Sequence, residues 1–397
     1  MRGRFRKSVH FIAFLADRTA KVNDDKRWFE INNVEEVPSP SLLIDIGRVK
    51  SNLQRMIRWA GQRGPEVLRP HVKTHKLPQI VQLKLKAGIT KFKTSTIAEC
   101  EMTAEAGGED ILMAYQPVGP NIRRFLTLVE TFPDCRFSTI VDCLEIAQQL
   151  SDEATRIGAV IDLFVDLNVG MNRTGIHVGE SAERLYRFIS ESPSCNAVGL
   201  HAYDGHIHHT DPETVVNLVY EAFTPVWEWK RQIESRGLVV PKVVGCGTPT
   251  SKLMLQNAPD CDVEVSAGTS VLWDAGQPTF SPPMDFENAA LLLARIISRP
   301  TESTLCIDVG HKSVAAEMQP PRIVFRGLED AEFVMQSEEH LVLKTDFAAD
   351  YPVGSVLYGM PVHICPTVAL YDHVWCVQDG LAIERWPVTA RARQITI

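Results

Sequence analysis

The chain has 397 residues, enough for a large α/β domain and a second, smaller one. With 45% hydrophobic and 23% charged residues, its composition is that of a globular protein and excludes largely disordered or membrane-embedded classes. The formal net charge of −8 provides no basic surface for nucleic acid, so we expect a small-molecule partner, and nine scattered cysteines favour a reducing cytoplasm over a disulfide framework.

Residues 1–36 are predicted to form an N-terminal extension. Its apolar run, residues 9–16, follows a basic head and is too short to span a bilayer. Asp17 and Arg18 interrupt the run, which argues against a signal peptide. We therefore exclude the extension from the prediction of the fold.

Residues 37–285 alternate apolar, β-branched runs with helical patterns, which predicts a parallel sheet. The number of runs favours a closed (β/α)8 barrel of the TIM type over an open sheet. Nine runs are one more than such a barrel needs, so the first or the last is expected to belong elsewhere. The runs are residues 41–45, 68–73, 91–96, 110–115, 136–142, 160–167, 196–203, 242–247 and 263–268.

Residues 286–397 show a different pattern, in which short β-like runs are separated by Gly, Pro and Asp. Such spacing is typical of antiparallel structure. We predict an all-β C-terminal domain.

The run "LRPHVKTHK" (68–76) is unusually rich in cations. If it is a barrel strand, alternation puts Arg69, His71, Lys73 and His75 on one face. Such residues near a strand end are often only solvated, but four on one face favour a site. A lysine among other cations loses proton affinity and becomes a nucleophilic amine at neutral pH. This amine suits a Schiff base, which suggests pyridoxal phosphate as cofactor.

Three later segments could complete a pyridoxal phosphate site at the strand ends. "VVGCGTPT" offers Gly247 and Thr248 for a phosphate, with Pro249 placed to open a helix. "NVGMNRTGI" offers Arg173, and "GLHAYDGH" offers His201 and Tyr203. Each segment alone is ambiguous, since a surface arginine or a satisfied core histidine is common.

The combination of "RPHVKTHK", "MNRTG", "GLHAYDGHI" and "HICPT" resembles the metal-activated pyridoxal phosphate enzymes that include D-threonine aldolases, D-serine dehydratases and D-3-hydroxyaspartate lyases. The resemblance runs from about residue 37 to the C-terminus and implies an alanine-racemase-like barrel followed by a β domain. It implies that Lys73, rather than Lys76, forms the Schiff base with the cofactor.

The resemblance also implies the other cofactor contacts. Arg173 would approach the phenolic oxygen, with His201 and Tyr203 beside the pyridine ring, and Gly247 with Thr248 would hold the phosphate. His71 and His75 could act as bases or as orienting residues. A homodimer is implied by the resemblance alone.

The family resemblance further implies a divalent metal bound by His363 and Cys365. These residues are two apart in a β-like run, so both side chains are expected on one side. A bare H-x-C is common by chance, and the prediction depends on the resemblance. The thiolate favours zinc over manganese or magnesium.

The predicted function is therefore a lyase that acts on D-3-hydroxy amino acids. We favour the D-threonine aldolase type, which cleaves its substrate to glycine and an aldehyde. A D-serine or D-3-hydroxyaspartate dehydratase is the alternative, because dehydratases of the family use cysteine as a metal ligand. An amino-acid racemase and a non-catalytic pyridoxal phosphate carrier are weaker alternatives, since neither needs the metal pair.

Overall fold

The computed structural model describes residues 28–258, 262–279 and 283–397. Residues 1–27 of the predicted N-terminal extension therefore lie outside the described residues. Two compact units form the chain. The barrel unit comprises Leu53–Ser270 with Thr389–Ile397, and the β unit comprises the described residues before Leu53 with Val271–Val388.

Strands and helices alternate through the barrel unit, and strands dominate the β unit. The strands are β1 Ser41–Asp45, β2 Lys91–Thr94, β3 Asp110–Met113, β4 Arg136–Val141, β5 Ile161–Leu167, β6 Cys195–Ala202, β7 Lys242–Gly245, β8 Asp262–Val265, β9 Ala290–Thr301, β10 Thr304–Ile307, β11 Ile323–Phe325, β12 Glu332–Gln336, β13 Leu341–Lys344, β14 Val356–Pro361, β15 His373–Gln378 and β16 Leu381–Pro387. The helices are α1 Ile46–Ala60, α2 Pro78–Lys86, α3 Ile97–Glu105, α4 Pro120–Thr131, α5 Leu144–Ile157, α6 Glu180–Glu191, α7 Pro212–Glu234, α8 Ser251–Asn257 and α9 Ile364–Val368.

The barrel unit contains seven parallel strands, β2 to β8, each paired with the next in chain order. Between β8 and β2 lies the short segment 68–71, where Leu68 bridges Val265 and His71 bridges Lys93. The amide of Arg69 donates to Val265 O at 2.9 Å, and that of Lys93 donates to Pro70 O at 3.2 Å. The predicted fold class, an alanine-racemase-like barrel with a C-terminal β domain, is confirmed.

The predicted strand 68–73 is wrong in its second half. Pro70 has no N–H to continue a ladder, and Val72–Thr74 turns into a 3₁₀ helix. His71 caps that turn, since its Nδ1 accepts the Lys73 amide at 3.3 Å. The alternation of faces therefore stops at His71.

One apolar cluster joins five neighbouring strands of the barrel. Phe164 belongs to it, and Asp166, two residues later on β5, projects to the same face of the strand. The apolar layer thus lies along the face that also carries polar groups at the carboxyl ends of the strands. Its buried members are Leu112, Ile140, Phe164, Val198 and Val244.

The β unit is built on a nine-stranded mixed sheet. β1 lies in this sheet, parallel to β15 and antiparallel to β9, so the first of the nine predicted runs belongs outside the barrel strands. The predicted boundaries at residues 36/37 and 285/286 stay predictions. No helix in the part of the chain that the structure describes has the length and apolar character required to cross a membrane.

Candidate active site

Lys73 lies in the turn that follows the segment closing the barrel. His71 fixes this turn at its start by accepting the Lys73 amide. The amine of Lys76 is bound to Glu99 Oε1 in α3, a carboxylate with no exposed surface. This ion pair occupies the Lys76 amine, which disfavours Lys76 as the cofactor anchor.

Three cationic side chains lie near the ring of Tyr203, which follows β6. Its centroid lies 5.6 Å from Lys73 Nζ, 5.6 Å from Lys93 Nζ and 4.9 Å from the guanidinium carbon of Arg173. An aromatic face attracts cations over these distances. The structure therefore brings together Lys73, Arg173 and Tyr203, three predicted site residues that are far apart in the sequence. It adds Lys93, which was not predicted.

His201, in β6, is buried and oriented by a carboxylate. Its Nδ1 lies 2.6 Å from Asp166 Oδ1, and Thr174 Oγ1 donates to the other oxygen of Asp166 at 2.9 Å. Burial and the charge of Lys93 lower the pKa of His201, so the ring is neutral at pH 7. With its proton on Nδ1, the ring presents Nε2 as an acceptor.

The expectation that Arg69, His71, Lys73 and His75 share one face is wrong. Arg69 turns toward the amino ends of the strands, where it binds Glu264 at 2.5 Å and Asp110 at 2.6 Å. Lys91 and Lys242 bind the same Glu264, at 2.6 and 2.9 Å. Arg69 is therefore a structural residue, and its charge is neutralised away from Lys73.

His75 is also turned away from this arrangement. Its Nδ1 accepts the Leu77 amide at 3.1 Å, and its Nε2 lies 3.0 Å from the amine of Lys84 in α2. Both side chains have no exposed surface. The ring supports the end of the Lys73 turn, and the catalytic role predicted for His75 has no support from these contacts.

The predicted phosphate loop follows β7. Thr248 is buried and its hydroxyl accepts the Thr269 amide at 3.3 Å, while the Gly247 amide donates to Asp204 Oδ1 at 2.7 Å. The helix expected at Pro249 begins two residues later, at Ser251, with Thr250 at its N-cap position. The loop is formed, but one of its two predicted donors is already engaged.

His201 Nε2, Asp204 Oδ2 and Ser266 Oγ are among the buried polar atoms of the barrel unit that have no hydrogen-bond partner in the described structure. Unpaired polar atoms in a protein interior are costly, so they indicate a bound ligand or water. These atoms lie on the strands and loops that carry the predicted pyridoxal phosphate contacts. Together with the cations near the Tyr203 ring, these atoms fit a polar ligand that carries an anionic group.

In the β unit, His363 occupies the N-cap position of the short helix α9, and Cys365 lies in the first turn of that helix. The two side chains form a hydrogen bond, so they lie close together as expected. The β-like run predicted for these residues is wrong, because the chain starts a helix there. Although burial lowers the pKa of His363, the hydrogen bond and charge of Cys365, together with Glu317 and Asp274, raise it to about 9.

The histidine and thiol pair has the donor chemistry of a soft divalent metal site. Glu317 holds His363 Nδ1, as carboxylates commonly do for metal-binding histidines. Asp274, whose pKa is raised by burial to about 6, accepts the Ile364 amide at the start of α9 at 3.1 Å. In the described ranges no cluster of three or more His, Cys, Asp or Glu side chains is arranged to hold a metal.

Sequence reasoning missed Lys93, Asp166, Asp204 and Ser266 in the barrel unit. Lys93 stands in "KFKTST" as an ordinary strand lysine, and only burial to 2% exposure distinguishes it. Asp166 could have been found, since a carboxylate inside the apolar run "VIDLFVDL" requires a partner.

Comparison with known proteins places the chain in a family. The model of the alanine racemase N-terminal domain matches residues 44–268, and that of the "Putative serine dehydratase domain" matches residues 289–377. Because the first match covers more than half of the chain, the chain belongs to the family of proteins with an alanine racemase N-terminal domain. The resemblance to the D-threonine aldolase and D-serine dehydratase group is confirmed.

Its relatives identify the enzyme class more narrowly. The chain is 29% identical to a D-threonine aldolase of Arthrobacter sp, over 89% of this chain and 93% of the relative. It is 24% identical to a D-threo-3-hydroxyaspartate dehydratase of Delftia sp. (strain HT23), over 88% and 96%. The crystal structure of D-threonine aldolase from Filomicrobium marinum is 27% identical, with a TM-score of 0.83 over 90% of this chain and 96% of that one. The prediction of an enzyme of the lyase class is confirmed.

Proposed function

We propose that this protein is a pyridoxal phosphate- and metal-dependent lyase that cleaves D-3-hydroxy amino acids, D-threonine among them, to glycine and an aldehyde. The convergence of Lys73 and Arg173 on the Tyr203 ring carries the proposal, because it supplies an amine and a guanidinium at one aromatic group. The similarity to D-threonine aldolases over nine-tenths of the chain supports the choice of reaction.

The residues of the barrel unit would hold the cofactor. Lys73 would anchor it, Arg173 would pair with its phenolic oxygen, and Thr248 would contribute to phosphate binding. Pyridoxal phosphate supplies a ring that accepts the electron pair released when a bond to Cα breaks. His201, which is oriented by Asp166, presents a neutral acceptor at Nε2. Tyr203 follows closely in the same segment of the chain.

His363 and Cys365 would hold a divalent ion with ligand positions left for water and substrate. A divalent metal supplies Lewis acidity, which lowers the pKa of a coordinated hydroxyl group. The thiolate donor favours zinc, with manganese and magnesium as the other candidates.

A dehydratase is the second candidate, and a specific observation favours it. The serine dehydratase domain model matches the part of the chain that contains His363 and Cys365. For D-serine or D-3-hydroxyaspartate the products would be an oxo acid and ammonia.

The deciding experiment is product identification. The purified protein is incubated with D-threonine, D-serine and D-threo-3-hydroxyaspartate, with and without a chelator. Glycine and acetaldehyde from D-threonine, lost on chelation and restored by metal, are expected. An oxo acid with ammonia would establish the dehydratase, and chelator-insensitive interconversion of alanine enantiomers would establish a racemase.

Borohydride trapping tests the anchor separately. Peptide mapping is expected to place the reduced cofactor on Lys73 and to leave Lys76 unmodified, and Lys73→Ala should lose it. Turnover with Lys73 unmodified would contradict the proposal. The homodimer and the cytoplasmic location remain predictions, and light scattering of the purified protein tests the first.

A further inference from the structure

Lys93 is a buried amine near the proposed anchor. It lies in β2 with 2% of its surface exposed, and its backbone is bridged to His71, which caps the Lys73 turn. Its amine and that of Lys73 are both 5.6 Å from the centroid of the Tyr203 ring. Two lysines therefore converge on one aromatic ring in the interior of the barrel unit.

No carboxylate among the described residues is within ion-pair distance of the Lys93 amine. Two carboxylates act electrostatically on Lys93 and also bind other groups: Asp166 binds His201 and Thr174, and one oxygen of Asp204 accepts the Gly247 amide. Arg173 adds a positive charge near the same ring, with its guanidinium carbon 4.9 Å from the Tyr203 centroid. The other titratable groups that face Lys93 are Lys73, His71, Asp166, His201, Asp204 and Cys246.

Burial and like charge act in the same direction here. Burial first, and then the charge of Lys73, lowers the pKa of Lys93 to about 7. The interaction is mutual, so a charge on Lys93 disfavours a charge on Lys73 to the same extent. Burial and both lysine charges hold the pKa of His71 well below its usual value, so the imidazole stays neutral and takes up no proton from them.

We propose that Lys93 acts as a positioning residue, whose buried amine near the Tyr203 ring disfavours a charge on Lys73 and so keeps the Lys73 amine available as a nucleophile. This inference rests on the proposed function, in which Lys73 anchors the cofactor. Lys93 is then a second amine in the site, which forms no bond to the cofactor and controls how readily Lys73 forms one.

The test measures how fast Lys73 captures pyridoxal phosphate as a function of pH. The full-length protein is freed of cofactor with hydroxylamine, mixed with pyridoxal phosphate, quenched with borohydride and mapped by peptide mass. In Lys93→Met the neighbouring charge is lost, so the pH midpoint for capture at Lys73 should rise by about one unit, which slows capture about tenfold at neutral pH.

Two further variants separate charge from structure. Lys93→Arg keeps a permanent charge, so its midpoint should equal or lie below that of the unaltered protein. Lys91→Met is the matched control, because Lys91 lies two residues earlier on β2 with its amine on Glu264, and its midpoint should not change.

Capture at Lys73 with the same midpoint in Lys93→Met as in the unaltered protein would overturn the inference and leave the proposed function intact. A raised midpoint in Lys93→Arg would overturn it as well, and this arm decides the matter if Lys93→Met does not fold. Absence of any label at Lys73 in the unaltered protein would overturn the proposed function, and the inference with it.

Discussion

His201 Nδ1 and Asp166 Oδ1 are 2.6 Å apart, and the two side chains are only 4% and 5% exposed. The carboxylate fixes the tautomer of the ring, because Nδ1 must carry the proton that Asp166 accepts. His201 Nε2, which has no partner in the described structure, is thereby kept as an acceptor toward the site.

Asp166→Asn should therefore weaken both folding and cofactor binding. Loss of the charge-assisted hydrogen bond is expected to cost about 2 kcal/mol of unfolding free energy. Urea unfolding and titration with pyridoxal phosphate measure the two effects. Asp162→Asn is the matched control on the same strand, where Asp162 binds Arg136 and Asn196, and it should lower stability without changing cofactor affinity.

Glu264→Gln should destabilise the barrel at its amino end without affecting the cofactor. The variant removes one of the two carboxylates that pair with buried Arg69, which is expected to cost about 3 kcal/mol near neutral pH. Although burial raises the pKa of Glu264, the charges of Arg69, Lys242 and Lys91 lower it to about 2. Stability from this carboxylate is thus present above its unfolded pKa of 4.5 and is lost as pH falls toward 2.

The difference in unfolding free energy between the unaltered protein and Glu264→Gln should accordingly shrink between pH 4.5 and about pH 2. Urea unfolding over this window measures it. Glu66→Gln, at an exposed position near the same barrel end, serves as control and should change little. A pH-independent difference for Glu264→Gln would contradict the assigned ion pairs.

Lys84→Met should change how stability depends on pH on the alkaline side. Burial lowers the pKa of Lys84 from 10.5 to about 7, so charging this amine opposes folding. The penalty is absent above the unfolded pKa, grows as pH falls and is complete below about pH 7. As the pH falls from 10.5 to 7, the unfolding free energy of the variant should therefore rise relative to that of the unaltered protein by on the order of 4 kcal/mol.

Urea unfolding at several pH values checks this prediction. At high pH the variant should be less stable, because the contact of Lys84 with His75 is lost. Lys86→Met, at an exposed position of the same helix, should show no such pH dependence.

Cys365→Ala should abolish the metal binding proposed for the β unit. One histidine alone binds divalent ions weakly, so metal content measured by mass spectrometry is expected to fall well below one ion per chain. Cys365→Asp should restore binding with a preference shifted from zinc toward manganese or magnesium, because a carboxylate is a harder donor. Cys143→Ser, a partly exposed cysteine in the barrel unit, should leave the metal content unchanged. Full retention of zinc in Cys365→Ala would exclude this thiol as a ligand.

Strand positions and the two-part organisation follow from the sequence. Alternation of apolar runs with helical patterns gave nine strand predictions, and every one coincides at least in part with a strand or bridge of the structure. The sequence could not decide which run lies outside the barrel, because "SLLID" is apolar on both faces and fits any buried sheet. Pairing with β9 and β15, both distant in sequence, decided it.

Within the candidate sites of the two units, the sequence by itself determined which chemical groups are present: the lysine of "HVKTHK", the arginine of "MNRTG" and the histidine and tyrosine of "LHAYDGH" in the barrel unit, and the histidine with its cysteine in "HICPT" in the β unit. Tertiary structure decided which of them meet. Arg69 contacts buried Glu264 and His75 contacts buried Lys84, both away from Lys73. No local sequence pattern reveals these partners. Lys93 acquired its properties only through burial beside Lys73, since proton affinity depends on surrounding charge and solvent, and these are set by contacts between residues far apart in the chain.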